Sequence, residues 1–187
     1  MKQRREAWHG DLADVPASQL IFIDESGAST SMQRTRGRAP RGERCVASGP
    51  AGHWQISTMI GAVRLDGPLC CDTLEGAVNA DAFLLWVRES LCPLLRPGDV
   101  VVMDNLSSHK TPGVRTAIEG VGAKLLYLPP YSPDFNPIEN MWSKVKQSLR
   151  SAAARTRDAL GVAVTKALAT VTAADCQGFF AHCGYAI

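Results

Sequence analysis

The segment from Leu125 to Trp142, which reads LLYLPPYSPDFNPIENMW, constrains this chain more than any other. Its first four residues suit a buried strand, which must end at Pro129-Pro130 because proline cannot donate to a central ladder. The proline-rich loop that follows is stiff, since each pyrrolidine ring fixes φ. Asn136 and Pro137 then predict a helix start, with asparagine at the N-cap and proline at the first helical position. A rigid loop thus holds the Glu139 carboxylate on the first turn of a helix.

The length and composition of the chain indicate one ordinary globular domain. Its 187 residues can bury a substantial core, with 45% apolar and 20% charged residues. No apolar run approaches the ~20 residues of a membrane helix, and the basic start lacks the apolar segment of a signal peptide, so we expect a cytoplasmic protein. The six cysteines show no C-x-x-C spacing, which favours free thiols over disulfides or zinc. Residues 1–18 are interpreted as a lead-in and residues 19–187 as the domain.

The basic residues are clustered, although the net charge of +2 does not by itself indicate a nucleic-acid-binding protein. Residues 34–44 contain five arginines against one acid, and residues 144–157 contain five basic residues and no acid. Each segment could follow DNA phosphates, but on charge alone a solvated loop and a solvated helix face are favoured. The candidates for contact with the DNA backbone are Arg34, Arg36, Arg38, Arg41, Lys144, Lys146 and Arg150.

The predicted elements follow the order βββαβαβα, with two further helices at the end. An apolar, β-branched run at 20–23 predicts a buried central strand, and residues 26–52, rich in Gly, Ser, Thr and Arg, predict a surface loop. Asp66-Gly67 between two strand-like runs predicts a hairpin. The strands at 100–103 and 124–128 each follow a helix, and such crossovers imply parallel, right-handed units. This order predicts an α/β, ribonuclease-H-like (retroviral-integrase-like) fold, with a mixed five-stranded sheet flanked by helices.

Three acids occupy equivalent places in this predicted fold. Asp24 and Asp104 each follow a buried strand, and Glu139 begins the helix after the last strand, so all three are expected at the carboxyl ends of the strands. Clustered carboxylates need a cation, and oxygen ligands suit Mg²⁺ or Mn²⁺. Two such ions about 4 Å apart serve phosphodiester chemistry. Each acid also has a structural explanation, which is a capping box with Asn136 for Glu139 and a strand-end turn for either aspartate.

Three motifs are similar to those of a known family: FIDESG at 22–27, VVMDNLSSHK at 101–110 and LPPYSPDFNPIENMWSKVK at 128–146. Together they closely resemble the catalytic domain of bacterial insertion-sequence transposases related to the mariner group, in the DDE superfamily. The likeness extends over nearly the whole chain. The spacing between Asp104 and Glu139 also resembles that of the group.

The resemblance implies a metal-dependent transposase in which Asp24, Asp104 and Glu139 hold two Mg²⁺ ions, with Mn²⁺ as a substitute. Such an enzyme hydrolyses DNA at the ends of its element and then joins the freed 3′-hydroxyl to target DNA. The residues expected to position DNA or to support the metal ligands are Glu25, Asn105, His109, Lys110 and Asn136. Helix capping and a solvated first turn are the alternative for those that follow Asp104.

The expected partner is double-stranded DNA, as element ends and as target, in a bacterial cytoplasm, and paired ends favour a homodimer. Family members usually carry helix-turn-helix domains before the catalytic half, whereas only a short segment precedes the first strand here. An upstream reading frame joined by frameshifting would supply them, and a truncated copy or an engineered fragment is the alternative. Two other functions stay open: a nuclease for RNA–DNA hybrids, and a non-catalytic fragment that regulates full-length transposase by binding DNA or dimerising.

Overall fold

The structure, a computed structural model, describes residues 2–106 and 108–187. At its centre lies a five-stranded mixed sheet with the strand order β3-β2-β1-β4-β5. The strands are β1 (Leu20–Ser29), β2 (Ile56–Arg64), β3 (Gly67–Glu75), β4 (Val100–Met103) and β5 (Lys124–Tyr127). The first three pair antiparallel, whereas β4 runs parallel to both β1 and β5. The predicted mixed sheet, with a hairpin followed by parallel crossovers, is confirmed.

Helices cover both faces of the sheet. Those described are α1 (Lys2–Asp11), α2 (Ala80–Trp86), α3 (Pro112–Gly120), α4 (Pro137–Ala152), α5 (Arg157–Leu168) and α6 (Ala173–His182). The predicted cap of α2 is confirmed, because the Ala82 N–H donates to Asn79 Oδ1 at 2.8 Å. The predicted capping box of α6, formed by Thr172 and Asp175, is also confirmed. A π-helical turn and a 3-10 turn continue α2 to Leu94, so the helix predicted there is irregular in its second half.

The core consists of two layers separated by the sheet, and β1 contributes to both. Leu20 and Phe22 point to the side covered by α4, α5 and α6, whereas Ile21 and Ile23 point to the side covered by α2 and α3. Successive side chains of a strand alternate between faces, so a wholly apolar run can bury both. The prediction that residues 20–23 form a buried central strand is therefore confirmed.

Two details of the β1–β2–β3 region differ from expectation. β1 continues to Ser29, because β2 supplies antiparallel partners beyond the point where pairing with β4 ends at Phe22. The first part of the predicted loop at 26–52 is therefore strand. The hairpin is present, but its two turn residues are Leu65 and Asp66, and Gly67 opens β3 opposite Arg64 with φ +153°.

The six cysteines are free thiols, as expected. Within the two described stretches, no single helix is long and apolar enough to cross a membrane. Only α5 and α6 taken together have the required length and composition, and the pair is bent by 81°.

Candidate active site

Asp24, Asp104 and Glu139 line one cavity of about 450 Å³. Asp24 lies within β1 rather than after it, two residues beyond Phe22, where the parallel pairing with β4 stops. It is therefore level with the carboxyl end of β4, which Asp104 follows directly. Glu139 belongs to the first turn of α4. The fold thus brings together three acids that are far apart in the sequence.

The electrostatic environment of Asp24 is unfavourable to its charged form. Burial and then the nearby Glu139 carboxylate raise the pKa of Asp24 to about 8, with further contributions from Glu25 and Asp104. The backbone N–H of Glu25 offsets part of this effect. Without a cation, Asp24 therefore carries a proton at neutral pH, as expected for a carboxyl group that is buried among other carboxylates.

Asp104 has the opposite environment. Burial raises its pKa, but the contacts with His109 and with the Leu106 N–H outweigh that effect, so the pKa lies below its usual value. The Leu106 N–H donates to Asp104 Oδ1 at 2.9 Å, and His109 Nδ1 lies 2.6 Å from the same oxygen. Asp104 is therefore held in its ionised form by groups of its own loop.

His109 is fully buried and contacts two acids. Its Nε2 lies 3.0 Å from Glu25 Oε1, and its ring stacks on Phe83 with 4.2 Å between the centroids. Burial lowers the pKa of His109, but Asp104 and Glu25 outweigh it and raise the pKa to about 9. Because the ring is 0% exposed, it cannot reach a DNA phosphate in this structure, which corrects that part of the expectation for His109. Its role as a support for the acids remains.

Asn105 and Lys110, which both follow Asp104 in the sequence, differ in what their side chains contact. The side-chain amide of Asn105 donates to the Leu128 carbonyl, which ties the end of β4 to the end of β5. Lys110 is exposed, and its Nζ lies 5.9 Å from the centroid of the Tyr127 ring. Asn105 therefore stabilises the loop, while Lys110 is accessible to an anionic ligand.

The capping explanation for Glu139 is not supported. Asn136 stands at the N-cap of α4, but its side chain makes no capping hydrogen bond, and its backbone N–H donates to the Pro133 carbonyl instead. The predicted capping box is therefore absent. Asn136 is only 3% exposed, lines the cavity, and its Oδ1 is buried without a partner among the described residues. An unpaired buried carbonyl oxygen is costly, which indicates a site shaped for a ligand.

The proline loop is held by both ends of the chain. Arg5 donates to the Tyr131 carbonyl, the Ser132 hydroxyl and the Asp134 carboxylate at 2.7–3.0 Å. On the other side, the Tyr185 O–H donates to the Phe135 carbonyl at 2.6 Å. The Arg5 contact could not be predicted from the sequence, because it joins residues 126 positions apart through an irregular loop.

The structure brings together part of the two basic segments. Arg34, Arg36 and Arg150 line one concavity of about 390 Å³, and Arg34 Nε donates to Ser151 Oγ at 3.3 Å. Arg38 and Arg41 are exposed, and Lys146 is half-buried. Lys144 differs from expectation, because its ammonium bonds the Thr170 carbonyl at 2.9 Å and Asp175 at 2.5 Å. It joins α4 to α6 rather than facing outward.

The shared cavity is not a finished metal cage. Across residues 2–106 and 108–187, no three His, Cys, Asp or Glu side chains are grouped so that they could hold a metal ion as they stand. His109 contacts one carboxylate oxygen of Asp104, and the raised pKa of Asp24 keeps that carboxyl group protonated at neutral pH. A metal would have to replace the Asp24 proton and draw the carboxylates together.

A mixed sheet in this order, with acids from β1, from the end of β4 and from the following helix around one cavity, defines a ribonuclease-H-like catalytic domain. The sequence matches the DDE superfamily endonuclease family over residues 19–161, so the chain belongs to that family. A comparison with curated proteins found no significant match.

Solved structures of Mos1 transposase share the fold. The Mos1 transposase paired-end complex with left transposon end gives a TM-score of 0.79 at 15% identity, covering 96% of this chain and 56% of that chain. The catalytic domain of Mos1 mariner transposase gives 0.72 at 13% identity, covering 96% and 84%. The chain therefore spans little more than half the length of the Mos1 chain in the paired-end complex and most of the isolated catalytic domain.

Proposed function

We propose that this chain is the catalytic domain of a DNA transposase. It hydrolyses phosphodiester bonds at the ends of a mobile element and joins the freed 3′-hydroxyl to target DNA. The observation that carries the proposal is the position of Asp24, Asp104 and Glu139, which come from three elements and line one cavity in a chain of the DDE endonuclease family. This arrangement is what metal-assisted phosphoryl transfer requires.

The residues around the cavity fit one or two divalent cations. Three carboxylates are hard oxygen donors, and burial beside Glu139 raises the pKa of Asp24, so a cation would stabilise its ionised form. Asn136 adds a buried oxygen that has no hydrogen-bond partner within residues 2–106 and 108–187. Asp24, Asp104 and Glu139 would hold Mg²⁺ or Mn²⁺, and Mos1 structures include complexes with Mn and with Mg. Bound there, such ions supply the charge that activates a nucleophilic oxygen and stabilises the leaving one.

The chain itself contributes position and charge to this chemistry. The Asp104 carboxylate is kept ionised by His109 and the Leu106 N–H, so it is ready to bind a cation. Glu139 is placed by a stiff loop, which Arg5 and Tyr185 hold from two sides. The side chains of Asp104 and Glu139 therefore have little freedom to move, as metal-assisted catalysis requires.

Double-stranded DNA is the proposed substrate, and the concavity formed by Arg34, Arg36 and Arg150 is its proposed backbone contact. Along α4, Arg150 follows Glu139 by roughly 16 Å at 1.5 Å per residue, which corresponds to about five base pairs. A homodimer that pairs two ends is part of the proposal, as is a separate region for recognition of the end sequence. The recognition region is supported by the comparison with Mos1, because this chain covers only 56% of the Mos1 chain in the paired-end complex.

Metal binding should be measured first, because it needs no DNA-binding region. Mn²⁺ titrations should show weaker binding in Asp104→Asn, Asp24→Asn and Glu139→Gln than in the wild type, by more than the about 10–100-fold that is typical when only the support of a ligand is lost. Asp158→Asn, at an exposed acid of α5, is the control and should bind as the wild type does. Equal affinity in all five proteins would contradict the proposal.

Cleavage is then tested by the nicking of a supercoiled plasmid. Strand transfer is tested by the joining of an oligonucleotide that bears a 3′-hydroxyl to a target plasmid. The wild type with Mn²⁺ should nick and join DNA, and Asp104→Asn should lose both activities. An RNA–DNA hybrid in a parallel reaction separates a transposase from a nuclease for hybrids. Metal binding without either activity would favour the non-catalytic, regulatory fragment.

A further inference from the structure

Two adjacent acids of β1 lie on opposite faces of the sheet. Asp24 lines the cavity beside Glu139 of α4, whereas Glu25 contacts His109 on the side that carries Phe83 of α2. The alternation of side chains along a strand requires this division. Glu25 therefore cannot serve as a ligand from the same face as Asp24, and its role must be sought through His109.

His109 links this acid to a second one. Its two ring nitrogens contact different carboxylates: Nε2 hydrogen-bonds Glu25 Oε1 at 3.0 Å, and Nδ1 lies 2.6 Å from Asp104 Oδ1 in an ion pair whose angle is not that of a hydrogen bond. Building on the proposed transposase function, we propose that His109 is a positioning residue, which uses Glu25 as an anchor in β1 to fix the orientation of the Asp104 carboxylate. The alternative role is purely structural, as a buried ring that fills the space beside Phe83.

The surroundings of His109 suit a rigid support. Its ring is fully buried against Phe83, and its carbonyl accepts a hydrogen bond from the Tyr127 hydroxyl at 3.2 Å. Glu25 is fixed by the pairing of β1 with β2, which continues through the residues before and after it. Asp104, in contrast, lies beyond the end of β4 with 37% of its side chain exposed. A carboxylate in a loop would rotate freely about its side-chain bonds without the two contacts on its Oδ1.

Two substitutions of His109 separate its contact with Asp104 from its contact with Glu25. The amide nitrogen of asparagine falls near the position of Nδ1, so His109→Asn keeps a donor for Asp104. The amide nitrogen of glutamine falls near Nε2, so His109→Gln keeps a donor for Glu25 only. Ile118→Ala, at a fully buried residue of α3 in the same core layer, is the control for lost packing.

The first readout needs neither metal nor DNA. Hydrogen exchange at the Leu106 amide reports the orientation of Asp104, because this N–H donates to Asp104 Oδ1. Exchange at Leu106 should increase at least about tenfold in His109→Gln and stay within about threefold of the wild type in His109→Asn. It should also stay unchanged in Ile118→Ala, relative to the global unfolding rate of each protein.

The second readout is Mn²⁺ affinity, which is measured from the electron paramagnetic resonance signal of the free ion. His109→Gln should bind Mn²⁺ about 10–100-fold more weakly, as is usual when the support of a metal ligand is lost, and His109→Asn should bind nearly as the wild type does. Glu25→Leu should weaken binding to a lesser degree, and Glu25→Gln, which keeps an acceptor oxygen, should weaken it least.

The two proposals fail in different ways. If Leu106 exchange is the same in both His109 variants, or changes equally in Ile118→Ala, His109 is structural and the positioning role is overturned. If exchange responds as described but the wild type binds no Mn²⁺, the positioning role stands and the metal-dependent function falls. If Mn²⁺ binding is lost in Asp104→Ala but unchanged in both His109 variants, the function stands and the positioning role is overturned.

Discussion

Trp142 of α4 lies directly against Gly61 of β2. A methyl group at Gly61 would come within 2.9 Å of the Trp142 indole and within 3.1 Å of the Cys70 carbonyl. Gly61 also pairs with Asp24 across the β1–β2 ladder. The absence of a side chain at Gly61 therefore allows α4, which carries Glu139, to approach the strand that carries Asp24.

Gly61→Ala should consequently destabilise the fold by about 1–3 kcal/mol through overpacking and should impair metal binding by displacing α4. Gly27→Ala in β1 is the matched control, because a methyl group there meets no atom of the described residues within 4 Å. Urea unfolding measures the first effect and Mn²⁺ titration the second. A Gly61→Ala protein as stable as Gly27→Ala would show that the contact with Trp142 is not limiting.

Asp24→Asn should change how stability depends on pH in the metal-free protein. The pKa of about 8 means that folded Asp24 keeps a proton which the unfolded chain releases above pH 4, so its contribution to the free energy of unfolding falls as pH rises between about 4 and 8. The difference in the free energy of unfolding between the variant and the wild type should grow by roughly 1.4 kcal/mol per pH unit.

That difference is best measured by urea unfolding in EDTA between pH 5 and 6. His109, with a pKa raised to about 9, is protonated in both states over most of that range and adds little to the slope. Asp158→Asn should give the wild-type slope. Parallel curves for Asp24→Asn and the wild type would show that Asp24 is ionised in the folded protein. Added Mg²⁺ should stabilise the wild type more than Asp24→Asn.

Arg5→Ala should loosen the proline loop without unfolding the domain. The variant loses the contacts with Tyr131, Ser132 and Asp134, and the guanidinium 4.5 Å from the Phe135 ring centroid. Hydrogen exchange across residues 129–136 should therefore increase. Arg115→Ala, which breaks an exposed ion pair with Glu119 inside α3, is the control and should leave loop exchange as it was.

Arg150→Gln and Arg34→Gln should weaken DNA binding in a manner that depends on salt. If both arginines contact phosphates, each substitution should lower the slope of log affinity against log salt by about one. Lys124→Gln, an exposed residue at the start of β5, should leave the slope unchanged. Fluorescence anisotropy with a labelled duplex at several salt concentrations measures this. Equal slopes in all variants would place the DNA path elsewhere.

Much of the fold could be predicted because it depends on local chemistry. The apolar runs of β1 and β4, the Asn79 and Thr172 caps and the Pro137 helix start are each encoded within a few neighbouring residues. The extension of β1 to Ser29 could not be predicted in this way. Residues 24–29 have no apolar run, and they form a strand only because β2 offers backbone partners.

The same division applies to the site. Sequence alone selected Asp24, Asp104 and Glu139, since their positions relative to strand ends and to the proline loop are readable in one dimension, and the cavity gathers all three. It did not determine that His109 would be buried between Glu25 and Asp104, that Lys144 would bond Asp175, or that Arg5 would hold the loop. Those partners lie on different elements, and only tertiary packing, which sets burial and the distance between charges, decides where each polar side chain finds its partner.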